Sequence, residues 1–303
     1  MLSPTNDAVQ YISNVTNDAS QPKIMAHVIK ENCWKWDAKD GAYFMKYYDD
    51  YFLAQKVTFV HEQLEKQQFK YHIPLEWNED AHILKQRWFE GKSADYRKVN
   101  DQKKVLKALQ ALHETKNQIN WQQHDVLPIY DLHQKWQRRF ERFVENEVLL
   151  KELLSHHYNE VVREAAHTLN QLALFNAHES MTILHGDVVH HNSMISNRDV
   201  VLVDFDLSAL GEASDELILW MHRVLSQTNY DLVKLMKDHP YLQTARHKLV
   251  YLNFPNEIMR ESLFYLKLNE RQKLACYPFI QSIVAEWLHY KETLKNTIQT
   301  MTH

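Results

Sequence analysis

Residues 183–210 read I-L-H-G-D-V-V-H-H-N-S-M-I-S-N-R-D-V-V-L-V-D-F-D-L-S-A-L, and this stretch decides how the rest of the chain is read. An apolar run over residues 181–184 leads into the polar turn His185-Gly186-Asp187. A second run, residues 200–203, leads into Asp204-Phe205-Asp206. Short apolar runs bounded by turn residues predict strands. Two strands that each end at an acid are expected to bring Asp187 and Asp204 to one mouth, with Asn192 on the loop between them.

Transfer of a phosphoryl group from a nucleotide needs a carboxylate to receive the acceptor's proton. It also needs oxygen ligands for the magnesium that bridges the phosphates. Asp187 followed by Asn192 five residues later has the Asp-to-Asn spacing of the protein-kinase catalytic loop, and Asp204-Phe205-Asp206 stands where that fold carries its metal-binding motif. A lone H-G-D or D-F-D would mean little, because Asp and Gly populate any turn after a strand. Their order, their separation by one strand-length segment and the Asn between them are far more specific. The stretch resembles the aminoglycoside phosphotransferase and choline kinase superfamily, in which His-Gly-Asp replaces His-Arg-Asp and the second motif is commonly Asp-Phe-Asp.

That resemblance implies an α+β, two-lobed protein-kinase-like fold. Residues 1–88 would form a small sheet-containing lobe on the nucleotide side, and residues 89–303 a larger, mainly helical lobe with the catalytic loop and acceptor site. It implies ATP and magnesium as cofactors, Asp187 as the base, and Asn192 and Asp204 as metal ligands. The partners implied are a nucleotide and a small molecule with an acceptor hydroxyl. His-His-Asn in the loop and Phe254-Pro255 further on resemble the spore-coat-associated branch. In that case the fold would serve as an interaction or assembly module with a protein partner.

Composition narrows the classes. At 303 residues, 45% apolar and 24% charged, the chain is an ordinary globular one with room for a sizeable core. A net charge of -4 argues against binding nucleic acid by broad phosphate neutralisation. The two cysteines, Cys33 and Cys276, lie far apart without metal-ligand spacing, as suits a reducing cytoplasm. Residues 1–22 lack the blocks of a signal peptide, and no uncharged apolar run approaches the roughly 18 residues of a membrane span, so a soluble cytoplasmic protein is expected. The 19 histidines have no zinc-type partners in sequence and are expected mostly at the surface.

Along the chain, residues 24–31 and 42–48 flank a turn at Lys39-Asp40-Gly41, a hairpin signal. Lys46 falls near the end of the second run. Alone it would read as an exposed strand charge; the resemblance makes it the lysine that contacts the phosphates. Residues 51–67 predict a helix with Phe52, Val57, Phe59, Val60 and Leu64 for an apolar face. In the family this helix supplies a Glu that pairs with the strand lysine. Here that site falls near Val57, and Glu62 is the best substitute. Residues 81–88 predict a strand ending at Trp88, with Phe89 just after it; by resemblance these two pack on the adenine at the hinge, although core packing explains two aromatics equally well. Helices are predicted over residues 99–115, 132–158 and 161–176, and the family resemblance implies that Asp215 braces the catalytic loop as structural support.

One departure weighs against an active enzyme. A kinase normally closes a glycine-rich loop over the phosphates, because only Gly lets the backbone approach so closely. This chain has four Gly, none before Gly41, and bulky residues fill the segment that should hold the loop.

Overall fold

Residues that alternate across a strand build the first part of the molecule. The computed structural model describes residues 25–123, 125–172, 180–197 and 199–302. In it β1 (Met25–Lys30), β2 (Cys33–Ala38), β3 (Gly41–Tyr47), β4 (Leu75–Asn78) and β5 (Ile83–Arg87) form an antiparallel sheet in the order β1-β2-β3-β5-β4. The turn at Lys39-Asp40 is where the sequence predicts it, but it joins β3 to β2, with Ala38 opposite Gly41. The expected pairing of residues 24–31 with 42–48 is therefore corrected. A turn this short can join only the strands that abut it. Cys33–Ala38 is one of them, and β1 pairs with its far side through a second tight turn in which Asn32 takes the left-handed conformation (φ 60°).

The helix α1 (Tyr51–Lys66) starts at Asp50, whose carboxylate accepts from the backbone N–H groups of Phe52 and Leu53 at 2.9 and 3.1 Å. It buries Ala54, Val57, Val60, His61 and Leu64. Phe52, expected on this face, is 80% exposed. At 100° per residue it lies about 140° round the helix from Val57. Ala54 and Val57 pack with Tyr48 and Leu84 on one side of the sheet, while Trp34, Met45 and Ile83 form a separate cluster. Neighbouring strand residues point to opposite faces, so Lys46, next to Met45 and paired with Leu84, shares the α1 side.

The described residues up to Ala94, together with Lys107–Pro128 and His185–Ala209, make one compact unit. Asp95–Leu106, Ile129–Leu184 and the chain from Leu210 make another. By sequence the division falls once, after Trp88; in the structure His185–Ala209 packs with the sheet. Within that unit Lys92–Ser93, Ser193–Ile195 and Val200–Leu202 form a small antiparallel sheet, whose hairpin Ser193–Leu202 joins the two acidic motifs.

The other unit is mainly helical. Trp136 stacks on Phe254 with ring centroids 4.5 Å apart. The helix predicted over 132–158 is instead two, Leu132–Glu145 and Glu147–Leu154, because the Asn146 side chain donates to the Arg142 carbonyl at 2.8 Å and competes with the ladder there. The next helix runs Tyr158–Leu172, and residues 173–176 of its predicted span lie outside the described residues. Asp215, buried in the first turn of Ala213–Leu225, accepts from the equally buried Lys248 at 2.5 Å. Among the described residues no helix is long and apolar enough to cross a membrane.

Several histidines are core residues rather than surface ones: His61, His72, His113, His185 and His239 are buried. Burial first, then the neighbouring His72, pushes His61 down to about 3, and burial takes His222 and His239 to about 4. The unfolded chain therefore binds these protons more readily than the folded one. Their contribution to stability is complete above pH 6.5 and is lost as the pH falls toward the folded values, by about 1.4 kcal/mol per pH unit for each such histidine. Urea titrations should show the unfolding free energy dropping between pH 6.5 and 4, with a shallower slope in His61→Gln and His222→Gln; a flat profile over that range would show these imidazoles to be exposed.

Candidate active site

The site is assembled on Lys46. β3 delivers its side chain to the α1 side of the sheet, 13% exposed, where Nζ donates to Asp204 Oδ1 at 2.8 Å and to Asp206 Oδ2 at 2.5 Å. Tyr48, two residues on and so on the same face, donates its hydroxyl to Asp206 Oδ1 at 2.7 Å. Lys56 of α1 donates to the Asp206 carbonyl at 2.6 Å, and Lys30, last in β1, holds its Nζ 3.7 Å from Asp204 Oδ2.

Electrostatics follow from this packing. Burial works against the Lys46 charge, but Asp204 and Asp206 together outweigh it and hold its pKa above the ordinary lysine value. Burial likewise works to raise Asp204, and Lys46, with Lys30 farther out, more than offsets it and keeps the carboxyl below its ordinary value. Burial and then the Asp206 charge push Tyr48 well up, so its hydroxyl stays a donor. Cys33, opposite Lys46 in the β2–β3 register, is raised by burial.

The His185–Asn192 loop is stitched to the Asp204 segment. The Asn192 side-chain N–H donates to the Asp187 carbonyl and to Asp187 Oδ2, each at 3.1 Å. The Val203 N–H donates to the Asn192 carbonyl at 3.0 Å, and His185 Nε2 bonds the Val203 carbonyl at 2.9 Å. Gly186 has a φ of +83°, and a Cβ there would fall 1.9 Å from the Leu207 carbonyl oxygen, so the middle residue of His-Gly-Asp must be glycine. Asp204 itself is left-handed at φ 64°, ψ 66°, a conformation that costs a non-glycine residue of order 1 kcal/mol. Phe205 is buried between the rings of His185 and His61, with centroids 4.7 and 5.0 Å away.

Lys46, Tyr48, Asn192, Asp204 and Phe205 edge a cavity of about 290 Å³, at the small end of ligand sites. Its walls are mostly apolar, including Val57, Leu84, Trp88, Phe89 and Phe205, and its charged and polar lining includes Lys30, Lys46, Asn192 and Asp204. Of the residues singled out by sequence, Lys46, Trp88, Phe89, Asn192 and Asp204 thus line one cavity, and Asp187 is bonded to Asn192. Glu62 is the exception and is corrected. It is exposed and off the cavity wall, about 140° round α1 from Val57, which occupies the wall instead. Lys46 takes Asp206 as its second carboxylate. The sequence alone points to no role for Asp206, Tyr48, Lys56 or Lys30. The two-residue spacing of Lys46 and Tyr48 on a strand was the available signal for a shared face.

No protein-family model matches the sequence, and no curated protein is similar enough to it to count as a match. Solved structures do match. An aminoglycoside phosphotransferase from Alicyclobacillus acidocaldarius superposes with a TM-score of 0.70 at 15% identity, over 95% of this chain and 95% of that one. The AMP-bound spectinomycin phosphotransferase APH(9)-Ia gives 0.64 at 13% over 91% and 97%, and the choline kinase LicA from Streptococcus pneumoniae gives 0.56 at 11% over 97% and 98%. The chain has the two-lobed kinase-like fold of these phosphotransferases, an antiparallel sheet region followed by a mainly helical one.

Because the Leu207 carbonyl occupies the place of a Cβ, Gly186→Ala should cost more than about 2 kcal/mol in urea unfolding. A change within about 0.5 kcal/mol, the range of neutral surface substitutions, would mean that the loop relaxes freely.

Proposed function

We propose that the chain is a magnesium-dependent phosphotransferase that moves a phosphoryl group from ATP to a hydroxyl of a small molecule. The observation that carries this reading is the meeting of Lys46, Asn192 and Asp204 on one cavity, with Asp187 hydrogen-bonded to Asn192. Lys46 neutralises nucleotide phosphates. Trp88 and Phe89, half-buried on the apolar wall, pack against the base. Asp187 orients the acceptor hydroxyl and takes its proton, and the Asn192 amide fixes that carboxylate by donating to Oδ2.

The Asp204 carboxylate and the Asn192 amide oxygen are hard donors of the kind magnesium takes. Among the described residues no group of three or more His, Cys, Asp or Glu is arranged to hold a metal, so Asp204 and Asn192 are the protein donors that would hold the ion. When bound, magnesium would offset the negative charge that develops during transfer. Both cysteines are free thiols, in keeping with the cytoplasm in which we place the protein.

One observation favours a second reading, an interaction module that keeps a vestigial site. The β1–β2 turn is Glu31-Asn32 with no glycine beside it, and Val28 and Ile29 are exposed there, so backbone amides are poorly provided for covering phosphates. Thermal melts with ATP and magnesium distinguish the two. Nucleotide at about 100 times its Kd should stabilise the fold by roughly 2.7 kcal/mol, and folded protein that shows no shift at any concentration would sink the nucleotide claim. The two acids should fail differently. Asp187→Asn is expected to lower turnover about 10² to 10⁴-fold with nucleotide affinity kept, while Asp204→Ala should abolish the magnesium dependence of binding. Equal binding losses in both variants would refute this division of labour.

A further inference from the structure

The second acid of Asp204-Phe205-Asp206 has no part in the reading above, yet it is the more completely bonded of the two. Each carboxylate oxygen of Asp206 has a donor, Oδ2 from Lys46 at 2.5 Å and Oδ1 from Tyr48 at 2.7 Å, and its carbonyl takes Lys56 at 2.6 Å. Asp204 lines the cavity; Asp206 is not on its wall. The left-handed turn at Asp204 and the buried Phe205 set this difference. The first acid is left at the cavity, and the single turn Phe205–Leu207 carries the second toward β3 and α1.

A mobile lysine must be held by a carboxylate if it is to meet a ligand in one geometry. α1 offers none at the wall, because the residues it presents there are Val57 and His61, and Glu62 is exposed. We infer that Asp206 is the positioning carboxylate for Lys46, held in turn by Tyr48 and Lys56, and that Asp204 alone of the two acids is left to face the ligand. The phosphate role of Lys46 rests on the function proposed above. The Lys46–Asp206 anchor does not.

The test therefore has two arms. In the first, without nucleotide, the rate at which Lys46 is acylated by an N-hydroxysuccinimide ester is followed by peptide mass spectrometry. Wild-type Lys46 should be protected, Asp206→Asn should raise its rate several-fold, and Asp206→Glu should restore most of the protection. Tyr48→Phe, which removes one bond to Asp206 and no charge, should raise the rate by a smaller factor, and it decides the matter if Asp206→Asn does not fold. In the second arm, calorimetry measures MgATP affinity. Asp206→Asn should weaken it about 10-fold or more, the worth of a charge-assisted bond, yet add no further loss in a Lys46→Ala background. Unchanged acylation in folded Asp206→Asn and Tyr48→Phe, or losses that add fully in the double variant, would overturn the inference. If the wild type binds no nucleotide the proposed function fails, and the acylation arm still decides the anchor.

Discussion

A single ammonium group between two carboxylates holds the site together. Lys46 is largely withdrawn from water, and taking an ion out of solvent costs several kcal/mol unless close partners replace the lost hydration. Asp204 and Asp206 are those partners, at 2.8 and 2.5 Å. The bond thereby sets the register of β3, because a slip of one residue would turn Lys46 to the face where Met45 packs and leave two acids unmatched. It also joins segments about 160 residues apart in sequence, which is why the sheet and the acidic hairpin pack as one unit.

Backbone geometry is the second constraint. Gly186 and Asp204 both have left-handed φ angles, at 83° and 64°. Gly186 lets the His185–Asn192 loop pass the Leu207 carbonyl with no room for a side chain. Asp204 holds an unfavourable conformation because its neighbours are fixed on both sides: Val203 by two hydrogen bonds to the loop, Phe205 by the rings of His61 and His185. The left-handed turn thus falls where two acids diverge within three residues.

In the helical unit the same balance of burial and pairing recurs. Lys248 is almost fully buried and survives as a charge because Asp215 and Glu212 both accept from it. Burial raises the Asp215 carboxyl despite that partner, and the two acids keep Lys248 above its ordinary value against the same desolvation. Breaking such a pair from one side leaves an uncompensated charge, at a cost of about 3–5 kcal/mol. Asp215 is thus a structural acid, and its observed work is to hold the segment that carries Lys248.

Much of the site could be read from residues 183–210, because turn residues placed after short apolar runs report local geometry that any tertiary context must respect. Asp187, Asn192 and Asp204 were visible in this way, Lys46, Trp88 and Phe89 were singled out only through the family resemblance, and the helical stripe of α1 was visible except for Phe52. Other features depend on contacts between distant segments, which no local pattern records. The partner of Lys46 is one: helical phase turns Glu62 to solvent, and the acid that replaces it comes from a turn 160 residues downstream. The strand partner of β3, the burial of His61 and His185 around Phe205, and the break at Asn146 are others. By itself the sequence determined which residues carry charge and where the chain must turn. Only the tertiary structure decided which charges meet, since pairing across the fold follows from the packing of apolar faces that bring those turns together.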